Sequence, residues 1–468
     1  MDDTSLPNYS DLSLQSIRID GDYKIHKVLI VPGDGNPIDF TNTRYDIFIN
    51  EDIFQPCLQG TITISDSWDI PNLFPLIGEE KLHIIFKRQG TNSQGNGANA
   101  ESLPETQTYD KVFRITQMHE RTKTREKHQT YTLEFVSEEI IKNHSIKVMK
   151  SYRNKLYSTM VKEIYGEYIA VDKPIFVEKS KFKQNFCVSN LTPFDAINIF
   201  TTRAVPEKYK GSNYVFFEAL DGFHFQTLEY LFDQPFVDEL IYEYKNVMDQ
   251  KTSSYIQKDI KRDVKTVSGY SHIQNFNVLR NLVSGMYGST LITYDPVRQV
   301  FDEIDYDLNK EYEKYVHCDD KKFFRPDVLD AAGQTTSRYN LMSTNKNHDQ
   351  IPWIAGKEPG IRPTKVEKYL QHRQSQLQHI NNYTIALSFP GNPERTVGQI
   401  IKFHMPNAMG DSVRAREEDK YLSGNWLITR LTHHIAKNGY FLDCELIKDS
   451  FVNEIEYEDP LPIYKDVW

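Results

Sequence analysis

Two stretches decide the fold: Leu76-Ile77-Gly78-Glu79-Glu80-Lys81-Leu82-His83 and, far downstream, Thr396-Val397-Gly398-Gln399-Ile400-Ile401-Lys402-Phe403-His404. Each leads a glycine into an alternating strand. After the first come a long loop, Phe113-Arg114-Ile115-Thr116-Gln117-Met118, a tight turn, and Tyr131-Thr132-Leu133-Glu134-Phe135-Val136-Ser137. After the second come a long loop, Leu427-Ile428-Thr429-Arg430-Leu431, a turn, and Phe441-Leu442-Asp443-Cys444-Glu445-Leu446. The order is the same both times, and the simplest account is two copies of one β-barrel-like domain. A chance likeness between β-hairpins is the alternative.

Working outward, Tyr45, Ile47 and Ile49 alternate with polar residues, as do Ile62 and Ile64, and Leu82, Ile84 and Phe86. Period-two alternation puts each set on one face of a half-buried antiparallel sheet. The segment 88–109 is rich in Gly, Asn, Gln and Ser and reads as a long mobile hairpin loop. Between the repeats the period changes. Leu156, Met160 and Ile164 recur at helical spacing, with Gly166 to close the helix. Thr192, Pro193 and Asp195 start a second helix, whose buried stripe is Phe194, Ile197, Phe200 and Ala204. Asp221-Gly222 predicts a hairpin between 214–220 and 223–228.

Farther on, the pattern predicts a helix over 273–287 ending at Gly288, then strands over 289–294 and 299–304 around Asp295-Pro296. Val366, Tyr369, Leu370, Leu377 and Ile380 mark another helix, followed by strands within 385–389, 398–404 and 421–446. The fold class predicted is α+β, mainly β: two tube-like antiparallel β-barrel domains with an α+β region between them. The expected division is an N-terminal arm over 1–22, a first barrel over 23–142, a middle domain over 143–271, a second barrel over 272–452 with a charged insertion at about 318–362, and an acidic tail over 453–468.

Composition narrows the function. Asp and Glu number 65 against 55 Lys and Arg, a formal charge of −10. A groove that grips DNA needs a basic stripe, whereas net negative walls suit a conduit past which DNA slides. Cys57, Cys187, Cys318 and Cys444 are scattered with no CxxC pair, so reduced thiols are expected rather than a zinc site or a disulfide framework. No stretch of about 18 residues is continuously apolar, which predicts no membrane insertion. The start, Met1-Asp2-Asp3-Thr4, lacks the basic and apolar regions of a signal peptide, so synthesis in the cytoplasm is expected.

The chemistry-bearing residues read as structural. No G-x-S-x-G, H-E-x-x-H or P-loop occurs, and Gly33-Asp34-Gly35 is a turn with no helix start after it. His433 and His434 are strand neighbours and point to opposite faces. His372 and His379 share a helix face and are expected to be solvated. Glu303, Asp305 and Asp307 alternate on one strand face; a solvated or lumen-facing acidic surface is the favoured reading, and a calcium site the alternative. Trp426 is expected in the core rather than as an interface anchor. No catalytic, cofactor-binding or metal residue is assigned, no cofactor is expected, and the chain is not expected to be an enzyme.

Ile64-Ser65-Asp66-Ser67 followed by Leu76-Ile77-Gly78-Glu79-Glu80 resembles an "isD…P..G.E.l.i" pattern of the phage baseplate hub family. Phe389-Pro390-Gly391-Asn392-Pro393, Val397-Gly398-Gln399-Ile400-Ile401 and His404-Met405-Pro406 are similar to that family's "GNp…..G..v.v..P" pattern. Tyr421-Leu422-Ser423-Gly424-Asn425-Trp426-Leu427-Ile428-Thr429 resembles its next strand. The likeness covers about two thirds of the chain in pieces; the loop at 88–109, the excursion at 318–362 and the tail lie outside it. The resemblance implies a homotrimeric ring with two tube-like barrels per chain, between a sixfold tail tube and a trimeric spike, in the virion's tail baseplate. The partners implied are the spike, a tail tube or tube-initiator protein, the tape-measure protein and baseplate wedge proteins, with DNA passing through the channel. The competing readings are a glycan-binding or glycan-cleaving β-rich tail enzyme and a hexameric tube or adaptor subunit.

Overall fold

The computed structural model describes residues 23–33, 35–88, 108–125, 128–169, 173–242, 264–274, 276–296, 299–324, 338–343, 366–407, 418–436 and 439–455. The predicted arm, most of the loop at 88–109, most of the excursion and the tail beyond residue 455 lie outside them.

The first module contains β1 (Tyr23–Val31), β2 (Ile38–Asp39), β3 (Arg44–Asp52), β4 (Gln59–Asp66), β5 (Lys81–Arg88), β6 (Tyr109–Arg125) and β7 (His128–Ser137), paired in the order β2-β1-β5-β6-β7-β4-β3. The alternation seen in the sequence is the register of this sheet. Ile47, Ile49, Ile62, Ile64, Leu82, Ile84, Phe86, Phe113, Ile115, Tyr131, Leu133 and Phe135 all face one core, while Tyr45 is only partly buried against it. The sheet curls until β1 meets the far module: the Tyr23 hydroxyl donates to the Ala436 carbonyl at 2.8 Å.

The middle region has its own core. There β8 (Val148–Leu156) pairs with β10 (Lys183–Leu191), and β9 (Ile175–Val177) joins the hairpin of β11 (Tyr214–Ala219) and β12 (Gly222–Thr227). Thr192 Oγ1 accepts from the Asp195 backbone N–H at 3.2 Å, capping the helix Pro193–Arg203. The expected stripe of Phe194, Ile197, Phe200 and Ala204 is buried. Two expectations shift. Gly166 does not close the preceding helix, because a π-helical turn over Tyr165–Ile169 continues it and buries Tyr165 and Ile169. The hairpin loop is Leu220-Asp221, with Ala219 opposite Gly222, whose φ of +144° suits glycine.

The second module uses β13 (Phe236–Tyr242), β14 (Thr266–Val267), β15 (Gly269–Gln274), β19 (Tyr383–Pro390), β20 (Ile400–His404), β21 (Gly424–Ala436) and β22 (Gly439–Lys448). A satellite sheet of β16 (Gly288–Asp295), β17 (Val300–Asp307) and β18 (Arg338–Ser343) lies between β15 and β19 in the chain. Pairing runs β13-β20-β21-β22-β19-β15, and β14, one residue ahead of β15, pairs back to β13. The ladder is not wholly antiparallel as expected: β13 lies parallel to both β14 and β20, because it arrives from the middle region rather than by a hairpin. The strands β13, β14 and part of β15 precede residue 272, so this sheet draws on chain assigned from sequence to the middle domain.

The helix expected over 273–287 is shorter. It spans Val278–Ser284, is capped by Asn277, and ends at Gly285 with φ 74°, while Ile273 belongs to β15. Part of the excursion is built in: β18 pairs with β16, and Phe323 and Phe324 pack with Tyr312 and Phe451. The helix Val366–Ile380 forms as expected, and Trp426 is fully buried. No described helix is long and apolar enough to cross a membrane.

Candidate functional site

Two places concentrate buried polar chemistry. The first joins the turn after Tyr312–Lys314, the last turn of the helix Val366–Ile380 and the residue after β22. Ligand atoms of His317, His379 and Asp449 lie within 4.8 Å of one another, the one group of metal-ligating side chains so placed among the described residues. His317 Nε2 faces the Tyr312 carbonyl at 2.8 Å and Nδ1 faces Asp449 Oδ2 at 2.7 Å. A carbonyl and a carboxylate only accept, so both ring nitrogens donate and the pair is imidazolium–carboxylate. Burial alone would lower the His317 pKa; Asp449 outweighs it and holds the imidazole above its ordinary value. Burial alone would raise Asp449, and His317 outweighs that in turn.

His379 behaves oppositely. It is buried against the Phe323 ring, and burial pushes its pKa down to about 4, so it stays neutral with Nε2 unpartnered among the described groups. His317, His379 and Asp449 could hold a metal ion only if His317 gave up its Nδ1 proton; with that proton in place the cluster is a complete ion pair with a neutral neighbour.

The expectation that His372 and His379 are solvated is overturned. Both face inward, and burial also drives His372 down to about 4, where its Nδ1 meets the Tyr315 hydroxyl. Sequence reasoning missed His317 and Asp449 because their partnership spans 132 positions. The acidic run on β17 does not assemble: Asp305 accepts from the Thr290 hydroxyl at 2.6 Å, and Asp307 caps the next helix through the Asn309 N–H at 3.0 Å. His433 and His434 do point to opposite faces, His433 inward and His434 stacked on Phe48.

The second place is the seam between the modules. β21 pairs with β22 on one edge; on the other it pairs first with β20, then, over residues 430–435, with β3 of the first module. All the module strands thereby belong to one sheet. At the seam, Glu51 of β3 is buried. Its carboxylate accepts from the Val397 N–H at 3.1 Å and from the Thr396 hydroxyl, and lies 3.2 Å from His433 Nε2. His433 Nδ1 meets the Tyr440 hydroxyl at 2.7 Å. Arg430 at the rim bridges Asp52 and Glu445. A similar anchor ties the first module to the middle region: Lys173 donates to Glu139 and Glu218, and Glu218 accepts from the Leu58 N–H. These groups hold surfaces together; their donors and acceptors are spent on one another.

No family model and no curated protein matches the chain by sequence. By structure it is similar to a 43 kDa tail protein of prophage MuSo2 from Shewanella oneidensis, with 6% identity, 90% of this chain and 98% of that one covered, and a TM-score of 0.49. It is similar also to a tail protein from Neisseria meningitidis MC58, at 9% identity, 91% and 97% coverage and a TM-score of 0.49. A third likeness is the E. coli c3393 protein, described as a component of the type VI secretion system with structural similarity to T4 bacteriophage tail proteins; it is 9% identical, with 91% and 76% covered and a TM-score of 0.40. All three are described as tail proteins or as a secretion-system component.

Proposed function

We propose that the chain is the structural hub of a phage tail or contractile injection machine: a trimeric ring that joins a sixfold tail tube to a threefold central spike and leaves a channel for genome or cargo. The observation that carries this reading is the duplicated sheet. One chain holds two six-strand modules in the same order, β1-β5-β6-β7-β4-β3 and β13-β20-β21-β22-β19-β15, set edge to edge through β3 and β21. Two like modules side by side form a segment of a ring, and three such segments present six modules in threefold symmetry. Net negative charge suits a bore through which DNA slides without sticking.

In this reading the chain works as a first barrel unit (23–142), a middle domain (143–271) and a second barrel unit (272–452) that recruits β13 to β15 by pairing. Its place is the tail baseplate of the virion. Its partners are the spike, the tail tube or tube initiator, the tape-measure protein and the wedge proteins, and it performs no catalysis. Mass measurement in solution with low-resolution imaging tests this. The reading requires three chain masses and a ring with a central hole. A hexamer would favour the tube or adaptor subunit, and a monomer that releases sugar from cell wall would favour the glycan enzyme.

A further inference from the structure

The seam inside the chain has a counterpart with no occupant among the described residues. Apart from their first strands, the two modules correspond in register: Arg114 opposes Lys81 as Leu427 opposes Ile400, and each long strand then bulges at the same step, Ile115/Gln117 in β6 and Ile428/Arg430 in β21. Beyond its bulge, β21 takes β3 on the edge that β20 has left. Beyond its own bulge, the same edge of β6, from Gln117 onward, pairs with no described strand. In the second module β15 holds the place of β3: His272 opposes Ile385 as Ile49 opposes Gly60. The outer edge of β15 over 269–274 pairs with no described strand either.

Apolar surface lies beside each open edge. Next to β15, Phe276, Leu279 and Val283 are exposed, the last two at 77%. Next to β6, Trp68, Leu73 and Ile77 are exposed, Trp68 at 78%. That loop is fastened along the open edge, since Asp69 pairs with Arg121 at 3.0 Å and the Glu80 carbonyl at its end accepts from the Ile115 N–H at 3.1 Å. Unpaired strand edges and contiguous exposed apolar groups both mark surfaces that another chain covers. A contact between two different surfaces of identical chains is head-to-tail, and it forms a ring when its rotation closes and an open filament when it does not.

We propose that β15 of a second copy of this chain adds antiparallel to β6, repeating between chains the β3–β21 seam within the chain, and that the second copy's residues 276–283 cover the loop 68–77. Transferring the seam's register, in which Asn50 opposes Thr432, places Gln274 of one copy opposite His119 of the next. Its closure at three copies rests on the trimeric reading above.

The test is a cysteine pair, His119→Cys and Gln274→Cys, in a Cys187→Ser background, since Cys187 is the exposed native thiol among the four. Opposed antiparallel residues lie about 4.5–5.5 Å apart at Cα, within disulfide reach. Oxidation is expected to give covalent dimers and trimers that reduction dissolves, and mixing the two single-cysteine chains should give dimers alone. Leu279→Asp with Val283→Asp, both on the surface and so compatible with folding, should shift the mass from trimer to monomer with the far-ultraviolet spectrum unchanged. A trimer that never cross-links, or that survives the double aspartate, overturns this interface and leaves the hub reading standing. A wild-type monomer overturns both.

Discussion

The two sheet modules share six strands in one order yet treat their equivalent loops differently. In the first module the Ile77 and Gly78 N–H groups donate to Glu80, a residue of the same loop. In the second, the Val397 N–H and the Thr396 hydroxyl donate to Glu51, which belongs to the other module. The first loop is satisfied alone; in the second, Gln399 still accepts from the Thr396 N–H, but the Val397 N–H and the Thr396 hydroxyl are met only by the docked strand. A duplicated module becomes part of a larger assembly by handing part of its loop's donors to an external acceptor, leaving buried donors that only the partner can meet.

The largest effect should come from the cores. Trp426 and Phe113 hold equivalent positions, both fully buried in one continuous cluster that spans the modules. Truncating either to alanine should cost about 4 kcal/mol. Because the cluster is shared, each change should lower a single cooperative transition; two separate transitions in calorimetry would show that the modules are independent.

Acid should act next, on the second module's side. His372 and His379 stay neutral down to about 4 in the folded chain, whereas an unfolded histidine takes its proton near pH 6.5. Stability therefore falls as pH drops from about 6.5 toward 4, by up to about 3 kcal/mol per histidine. His317 runs the other way: its raised pKa contributes stability that is full below about pH 6.5 and is lost as pH rises through its folded value. Urea midpoints measured across this range should show His379→Leu removing about half of the acid slope.

The seam itself sharpens the comparison. Glu51→Ala strands three buried partners and should cost about 3 kcal/mol in denaturant unfolding, while Glu80→Ala should cost about 1 kcal/mol. Equal losses would mean that the two carboxylates do not divide the work as described. Smallest of all, Arg430→Ala should change stability by less than about 1 kcal/mol, since its pairs with Asp52 and Glu445 lie at an exposed rim.

Sequence pattern alone revealed most strands of both modules, because alternation along a half-buried sheet is local. Ile47, Ile84, Phe135 and Leu442 each sit where period two places them. It did not reveal β13, whose Phe236-Val237-Asp238-Glu239-Leu240-Ile241-Tyr242 runs in doublets suited to a parallel neighbour on either side. Nor did it place Ile273 in a strand, since the helix signal of Val278, Leu282 and Gly285 begins just past it. His372 and His379 were misread as solvated because Tyr315 and Phe323, which cover them, approach only through the fold, and the His317–Asp449 pair went unseen for the same cause.

The strand β21 runs 13 residues and has neighbours along both edges, three strands in all. Antiparallel hydrogen bonds lie across the strand direction, so tension that slides β3 along β21 loads the bonds of the seam together in shear. β21 is thus the strand through which tension passes between the two modules, by its bonds to β3 on one side and to β20 and β22 on the other.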